Sequence, residues 1–254
     1  MKILLVNKYL YRKGGAETYF IKLGEYLKSL GNEVEYFGMA DERNCVGNRV
    51  EAYTENIDFH KKSLKHITYP FKIIYSVNAR KQIRKVLSNF KPDVVHLNNF
   101  NYQLTPSIIY EIKKHNIPIV YTAHDVQLVC PNHKLKNDYT DGLCRKCDGG
   151  KYFECVKNNC VHSSKIRSIL GAVEAWYYKL RHTYKMIDLT VCPSEFMEKE
   201  ISRNDDINGR TVTMYNFIDE IKPLGAECEN YVLYFGRYSE EKGISNLVKA
   251  AKKL

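Results

Sequence analysis

The sequence predicts an α/β fold in which a parallel sheet carries helices on both faces. Three features carry that expectation. Short apolar runs rich in branched residues recur along the chain, segments of helical period about 10–15 residues long separate them, and glycine-containing or polar turns fall at their ends. At about 150 residues per domain, 254 residues leave room for one large domain or for one domain and part of another.

Residues 2–7 form the first apolar run, and residues 11–15 the loop after it. Phe20, Leu23, Leu27 and Leu30, spaced three and four apart, then mark a helix that Gly31 and Asn32 stop. Residues 32–39 read as the second strand, 93–98 as a strand, 105–115 as a helix and 118–123 as a strand. A cysteine-rich insertion follows at about 130–164. Beyond it, 166–186 reads as a helix, 188–193 as a strand, 195–202 as a short helix and 211–218 as the last strand of this unit. Residues 221–230, with Pro223 and Gly225, read as a linker. Residues 231–235 are strand-like and 244–254 helix-like. The expected organisation is one domain over 1–220, a linker over 221–230 and the start of a truncated second domain over 231–254.

Charged residues make up 27% and hydrophobic residues 44%, which excludes disordered, collagen-like and coiled-coil readings of the whole chain. The net charge of +10 favours acidic partners such as phosphates, anionic lipid or nucleic acid. No apolar run approaches the roughly 18 residues of a membrane span, and the N-terminal run is cut short by Asn7 and Lys8. The expected location is the cytoplasm.

Three loops at strand ends carry candidate chemistry. Lys13-Gly14-Gly15-Ala16-Glu17 opens a helix, where paired glycines let backbone amides approach an anion; the alternative is a tight turn that needs glycine for geometry alone. It lacks the G-x-G-x-x-G spacing of a dinucleotide site. His124 and Asp125 follow the strand at 118–123, at a carboxyl end where open parallel sheets place ligands. His96, between Val95 and Leu97, reads instead as a structural histidine. Arg237 and Lys242 sit in a third such loop, where two cations suit a diphosphate leaving group.

Lys2-Ile-Leu-Leu-Val-Asn7, the Gly-Gly-Ala-Glu loop, Asp93-Val-Val-His96, Ala123-His-Asp125, Pro193-Ser-Glu195, Asn216-Phe-Ile-Asp219 and Gly236-Arg237 with Glu241-Lys-Gly243 stand in register along the whole chain. In that order and spacing the sequence resembles the family-4 glycosyltransferases, retaining enzymes of the GT-B fold. The resemblance implies a Rossmann-like N-terminal domain that binds the acceptor, and a C-terminal domain that binds a nucleotide-sugar donor. Transfer of a hexosyl-type sugar to a glycan or lipid-linked acceptor, in bacterial-type surface polysaccharide synthesis, is the implied activity. Gly14 and Gly15 would then face the donor diphosphate and sugar, His124 the transferred sugar, and Arg237 and Lys242 the phosphates. Glu17, Asn98, Asn99 and Asp125 would lie on the acceptor side. No catalytic metal is expected. The family's paired glutamates would lie beyond Leu254, so the 254-residue chain alone is expected not to turn over a donor.

Five of the eight cysteines lie between Cys130 and Cys160. Cys144, Cys147, Cys155 and Cys160 form two close pairs that could fold around one tetrahedral ion, so a structural zinc is expected; reduced unligated thiols and an iron–sulfur site are the alternatives. A cysteine-rich insertion here resembles that of a subset of bacterial family-4 enzymes. Residues 60–91 carry nine Lys or Arg and no Asp or Glu, with Tyr69, Phe71, Ile73, Ile74 and Tyr75 interleaved. Two readings stand side by side: docking to an anionic membrane on the inner face of the cytoplasmic membrane, and a core-packed helix with a solvated basic face. Competing functions are a zinc-containing nucleic-acid-binding module, suggested by the charge and 20 tyrosines, and a non-catalytic nucleotide-binding domain. The basic residues lie away from the cysteines, so no nucleic-acid partner is expected.

Overall fold

The computed structural model of the chain describes residues 1–56, 69–137, 142–218, 230–236, 238 and 242–253. Two compact units divide it, Met1–Phe217 and Ile218–Leu254. In the first unit the strands and helices alternate as β1 (Lys2–Val6), α1 (Gly15–Ser29), β2 (Glu33–Phe37), α2 (Tyr69–Ile74), α3 (Val77–Phe90), β3 (Val94–Leu97), α4 (Ser107–Lys114) and β4 (Ile119–Thr122). The insertion then contributes α5 (Phe153–Lys157) and leads into α6 (Lys165–Leu180), followed by β5 (Leu189–Cys192), α7 (Glu195–Ile201) and β6 (Thr211–Thr213).

All six strands run parallel in the order β2-β1-β3-β4-β5-β6. Alternation along β1 sets the two layers, because successive strand residues point to opposite faces. Ile3 and Leu5 pack with Phe20 and Ile21 of α1 and with Val34 and Tyr36 of β2. Leu4 and Val6 face the other way, into the main core with Ile83, Val86 and Phe90 of α3 and Ile108 and Ile112 of α4. Fully burying such a side chain is worth about 1.5–3 kcal/mol, so this sandwich is the principal support of the sheet.

Strand ends and breaks differ from the sequence expectation in three places, each for a local reason. The last strand stops at Thr213 rather than 218: β6 is an edge strand paired only with β5, and past it Phe217 folds back with its ring 5.3 Å from that of Tyr19. The helix expected over 166–186 ends at Leu180, where His182 adopts a left-handed conformation (φ 47°) before a single 3₁₀ turn at Thr183–Met186. Residues 231–235 carry no strand, since a strand needs a ladder partner and none pairs with them among the described residues. Among the described residues of the second unit, α8 (Ile244–Ala251) forms.

The basic segment resolves in part. Ser76 caps α3, its hydroxyl accepting the Ala79 amide at 3.1 Å, and Ile83, Val86, Leu87 and Phe90 turn inward. Lys81, Arg84 and Lys85 are left on the solvent face. Arg80 and Arg84 both reach Glu111 of α4, at 2.8 and 2.6 Å. Over 78–91 this favours the second reading, a core-packed helix with a solvated basic face: Ala79, Ile83, Val86, Leu87 and Phe90 are buried, while Val77 at the helix start is exposed. Residues 57–68 lie outside the described residues. No helix among the described residues is long and apolar enough to cross a membrane.

Gly38 holds β2 against the loop that leaves β1. A Cβ there would stand 2.3 Å from the Asn7 carbonyl oxygen, a backbone atom that cannot swing aside. Gly38→Ala is therefore expected to cost about 1–3 kcal/mol or more by overpacking, and Ile83→Ala about 2–5 kcal/mol by leaving a cavity. Urea unfolding checks both; a Gly38→Ala variant of unchanged midpoint would contradict the close approach.

Candidate active site

The strand order reverses at β1: the chain moves to one side for β2 and returns to the other for β3. Loops leaving the carboxyl ends of β1 and β3 therefore diverge, and a crevice opens between them, the place where open α/β sheets bind ligands. Here the crevice is tied together by polar side chains. Asn7, fully buried, accepts the Asn99 amide at 3.0 Å and donates to the Tyr9 carbonyl at 2.7 Å, while the Lys8 amide donates to the Asn99 carbonyl at 2.8 Å. Asn99 thus contributes its backbone to this junction.

Helix α1 starts in front of the crevice. Gly14 occupies its N-cap position with extended backbone (φ −162°, ψ −168°), and no side chain caps the first turn. The extended conformation is open to any residue, so the glycines are not demanded by backbone geometry. A Cβ on Gly15 would meet no protein atom within 4 Å, and one on Gly14 would meet only the Glu17 carboxylate, at 3.3 Å. What the two glycines supply is clear space before uncapped amides, an arrangement that favours an anion. Glu17 itself is buried, in the first turn of the helix.

His124 leaves the end of β4 and leans on α1, its ring edge-on to Tyr19 at 5.4 Å. Burial pushes its pKa down to about 4, against a smaller upward pull from Asp125, so at neutral pH the imidazole is uncharged. Its Nε2 lies 2.9 Å from Asn98 Oδ1, which places the ring hydrogen on Nε2. Asn98 is buried as well, and its Nδ2 has no partner among the described residues. A buried donor without an acceptor is expensive, and this one stands beside His124. His96 lies behind, its Nε2 2.7 Å from Thr122 Oγ1, with a pKa lowered to about 4 by burial and then by His124.

A second polar chain flanks these groups. The Lys8 ammonium donates to Asn101 Oδ1 at 2.8 Å, Asn101 Nδ2 meets His133 Nδ1 at 3.2 Å, and His133 Nδ1 lies 3.3 Å from Asp125 Oδ2. The Tyr102 ring stacks on His133 at 5.6 Å and lies 5.6 Å from the Lys8 ammonium. Burial alone would raise the Asp125 pKa, but the His133 bond, the Gln127 amide and Lys8 outweigh it, leaving a carboxylate. Burial lowers the Lys8 pKa, offset in part by Tyr9, Asp125 and Glu17.

Of the residues singled out in the sequence, Gly14, Gly15, Glu17, Asn98, Asn99, His124 and Asp125 all lie in the loops at the carboxyl edge of the sheet or in the first turn of α1. Lys242 belongs to the second unit, and Arg237 lies outside the described residues. Lys8, Asn101 and His133 are additions. Lys8 and Asn101 fall just past strand ends, a signal already used for His124, whereas His133 reads in the sequence as a neighbour of the cysteines.

The described cysteines gather as the sequence suggests, without forming a recognisable metal site. Cys130, Cys144, Cys147, Cys155 and Cys160 do line one small cavity. Even so, no three His, Cys, Asp or Glu side chains among the described residues come together as a metal site. The Cys130 thiol donates to Asn132 Oδ1 at 2.9 Å, and Asn137 donates to Cys144 Sγ at 3.2 Å. Burial, and after it the neighbouring cysteines, raise the Cys147 pKa to about 12 and push Cys155 and Cys160 up too. The described residues thus give the zinc expectation no support. The seven described cysteines are free of disulfides.

The sequence pattern of Glycosyltransferase Family 4 matches residues 13–221, and the chain belongs to that family. It is similar to an uncharacterized 42.6 kDa protein of the cps region of Klebsiella pneumoniae, 25% identical over 99% of this chain and 65% of the relative. The chain thus spans just under two thirds of that relative's length. Among solved structures, sucrose-phosphate synthase from Thermosynechococcus elongatus superposes with a TM-score of 0.50 at 14% identity, covering 84% of this chain and 47% of that one. Alr3699/HepE from Anabaena, in complex with UDP and glucose, gives 0.46 at 15% identity over 86% and 45%. The fold is the Rossmann-like α/β arrangement of a GT-B N-terminal domain.

Because the folded pKa values of His96 and His124 lie below the ordinary 6.5, the unfolded chain takes up protons first as pH falls. Stability that both histidines contribute above about pH 6.5 is expected to be lost progressively towards pH 4. Imidazole NMR signals of both rings should stay neutral to about pH 5 and shift near pH 4. Titration of either near 6.5 would contradict their burial.

Proposed function

We propose that this chain is the acceptor-side part of a retaining glycosyltransferase that moves a hexosyl group from a nucleotide sugar to a glycan or lipid-linked acceptor in surface polysaccharide assembly. The observation that carries the reading is the open first turn of α1 at Gly14 and Gly15, whose helix leans through Tyr19 on the neutral His124–Asn98 pair. Family membership and the relative's place in a cps region support the transfer and its setting.

Each group has a task in this reading. The free amides at the start of α1 receive the donor diphosphate, where negative charge grows as the bond to the sugar breaks; donors fixed in advance at that position are usually the largest catalytic term. Arg237 and Lys242 supply the balancing cations. His124, uncharged and with its hydrogen given to Asn98, accepts a hydrogen bond from the transferred sugar at Nδ1 instead of repelling the cationic character that develops at the anomeric carbon. The unpartnered Asn98 Nδ2 takes a sugar oxygen. Asp125, kept ionised by His133 and Lys8, faces the acceptor side with Glu17 and Asn99, where a carboxylate orients a hydroxyl.

The reading includes the expectation that the 254 residues alone complete no turnover, so its test is binding. Added nucleotide sugar should shift the amide signals of Gly14 and Gly15 and the His124 ring. Gly15→Val should weaken that binding about tenfold or more while urea stability stays within about 1 kcal/mol of the parent, since open space surrounds the position. Absence of any shift with UDP-, GDP- and other nucleotide sugars would defeat the transferase reading. Repeated release of nucleoside diphosphate by the purified chain, abolished in His124→Ala, would instead overturn only the expectation of inactivity.

A further inference from the structure

Helix α6 has two apolar faces. One is core: Ser168, Ala172 and Tyr178 are buried, and Gly171 lies close enough to Val161 and Pro131 that a Cβ would meet them at 3.4 and 3.6 Å. The other is a continuous stripe of Ile166, Ile169, Val173, Trp176 and Leu180, spaced three, four, three and four, with 73, 42, 41, 38 and 79% of their surfaces exposed. A surface helix of a soluble domain needs only one apolar face. Phe153 of α5, 55% exposed, and Val156 stand beside the stripe and enclose with Ile169, Val173 and Trp176 a groove of about 480 Å³.

Within the segment that builds this groove bases outnumber acids, although Lys179 also lies 3.9 Å from Asp205 outside it. Residues 151–181 carry Lys151, Lys157, Lys165, Arg167, Lys179 and Arg181 against two acids, Glu154 and Glu174. Glu154 is spent on Lys157 at 2.8 Å, and burial holds Glu174 up at about 7, with His133 pulling the other way. Lys165 and Arg167 are exposed on the same helix, and Arg181 follows as its C-cap residue, over the Tyr110 and Tyr177 rings. Trp176 is fixed in place, its indole Nε1 donating to the Gly150 carbonyl at 3.0 Å.

We propose that the face formed by α5 and α6 docks on an anionic lipid bilayer, with Ile166, Ile169, Val173, Trp176 and Leu180 entering the headgroup–acyl boundary and the lysines and arginines meeting lipid phosphates. An amphipathic helix with a basic rim, aliphatic residues and a tryptophan on its apolar side is what lies flat in such an interface. Charge decides among occupants: a second copy would set two basic rims against each other, whereas an anionic surface neutralises them. The membrane contact is thereby assigned to residues 153–181, a different element from the basic run at 60–91. It stands independently of the transfer reading, because it needs no sugar and no donor.

Trp176 is the chain's single tryptophan, so its fluorescence reports on this groove alone. With vesicles of phosphatidylcholine containing 30% phosphatidylglycerol, at low salt, the chain should co-sediment, its emission should move to the blue, and brominated acyl chains should quench it. Pure phosphatidylcholine should bind about tenfold less or weaker still, and added salt should release the protein. Ile166→Glu/Leu180→Glu and Lys165→Glu/Arg167→Glu replace exposed side chains, so both variants should keep the parent's circular dichroism and lose binding about tenfold or more. Equal binding to neutral and anionic vesicles would overturn the proposal. So would binding that survives both variants and depends instead on Lys61, Lys62 and Lys65, or a concentration-dependent dimer that Ile166→Glu/Leu180→Glu dissolves while vesicles remain unbound.

Discussion

Parallel pairing of β1 with both β2 and β3 is the constraint on which the rest of this structure depends. A parallel pair cannot be closed by a tight turn, so every strand is followed by a crossover, and every crossover leaves from the same edge of the sheet. Reversal of strand order at β1 then opens the crevice at that edge. The polar residues that line it come from loops distant in sequence, after β1, β3 and β4, and meet only because the three strands lie side by side. Gly38 and Asn7 fix how closely the β2 end can approach this junction.

Burial gives the crevice its chemistry. Removing water disfavours charge, which leaves His96 and His124 neutral, yet Asp125 keeps its charge because His133, the Gln127 amide and Lys8 surround it. One edge of the sheet therefore holds a neutral hydrogen-bonding imidazole and a fixed carboxylate within two adjacent residues. Asn98 shows the same economy in reverse: its oxygen is used by His124, and its Nδ2 is buried without a partner. Such a group is tolerated in a folded protein where a ligand completes it.

Much of the sheet is legible in the sequence, because a buried parallel strand must be a short apolar run, and β1 to β5 each fall within a residue or two of such a run. The site is legible where chemistry follows directly on a strand, as with Asn98 and His124, or opens the helix after it, as with Gly14 and Gly15. It is not legible where partners come from elsewhere. His133 is eight residues from Asp125, inside the insertion, and its stacking on Tyr102 depends on tertiary contacts. Cysteine spacing carries no information on whether thiols point at an ion or at Asn132 and Asn137. Residues 211–218 and 231–235 look like strands because branched and aromatic residues suit either a ladder or an exposed loop, and only a partner decides. The stripe on α6 is present as spacing, but a second apolar face becomes visible only when the first is seen to be buried.

The central claim is that ligand binding occurs at the β1–β3 crevice, between the first turn of α1 and the His124–Asn98 pair. Crystals of the protein soaked with a nucleotide sugar test it most directly. The account predicts diphosphate density against the Gly15 and Ala16 amides, with a sugar oxygen within hydrogen-bond distance of Asn98 Nδ2. Ordered donor elsewhere on the chain, with water alone in this crevice, would contradict it.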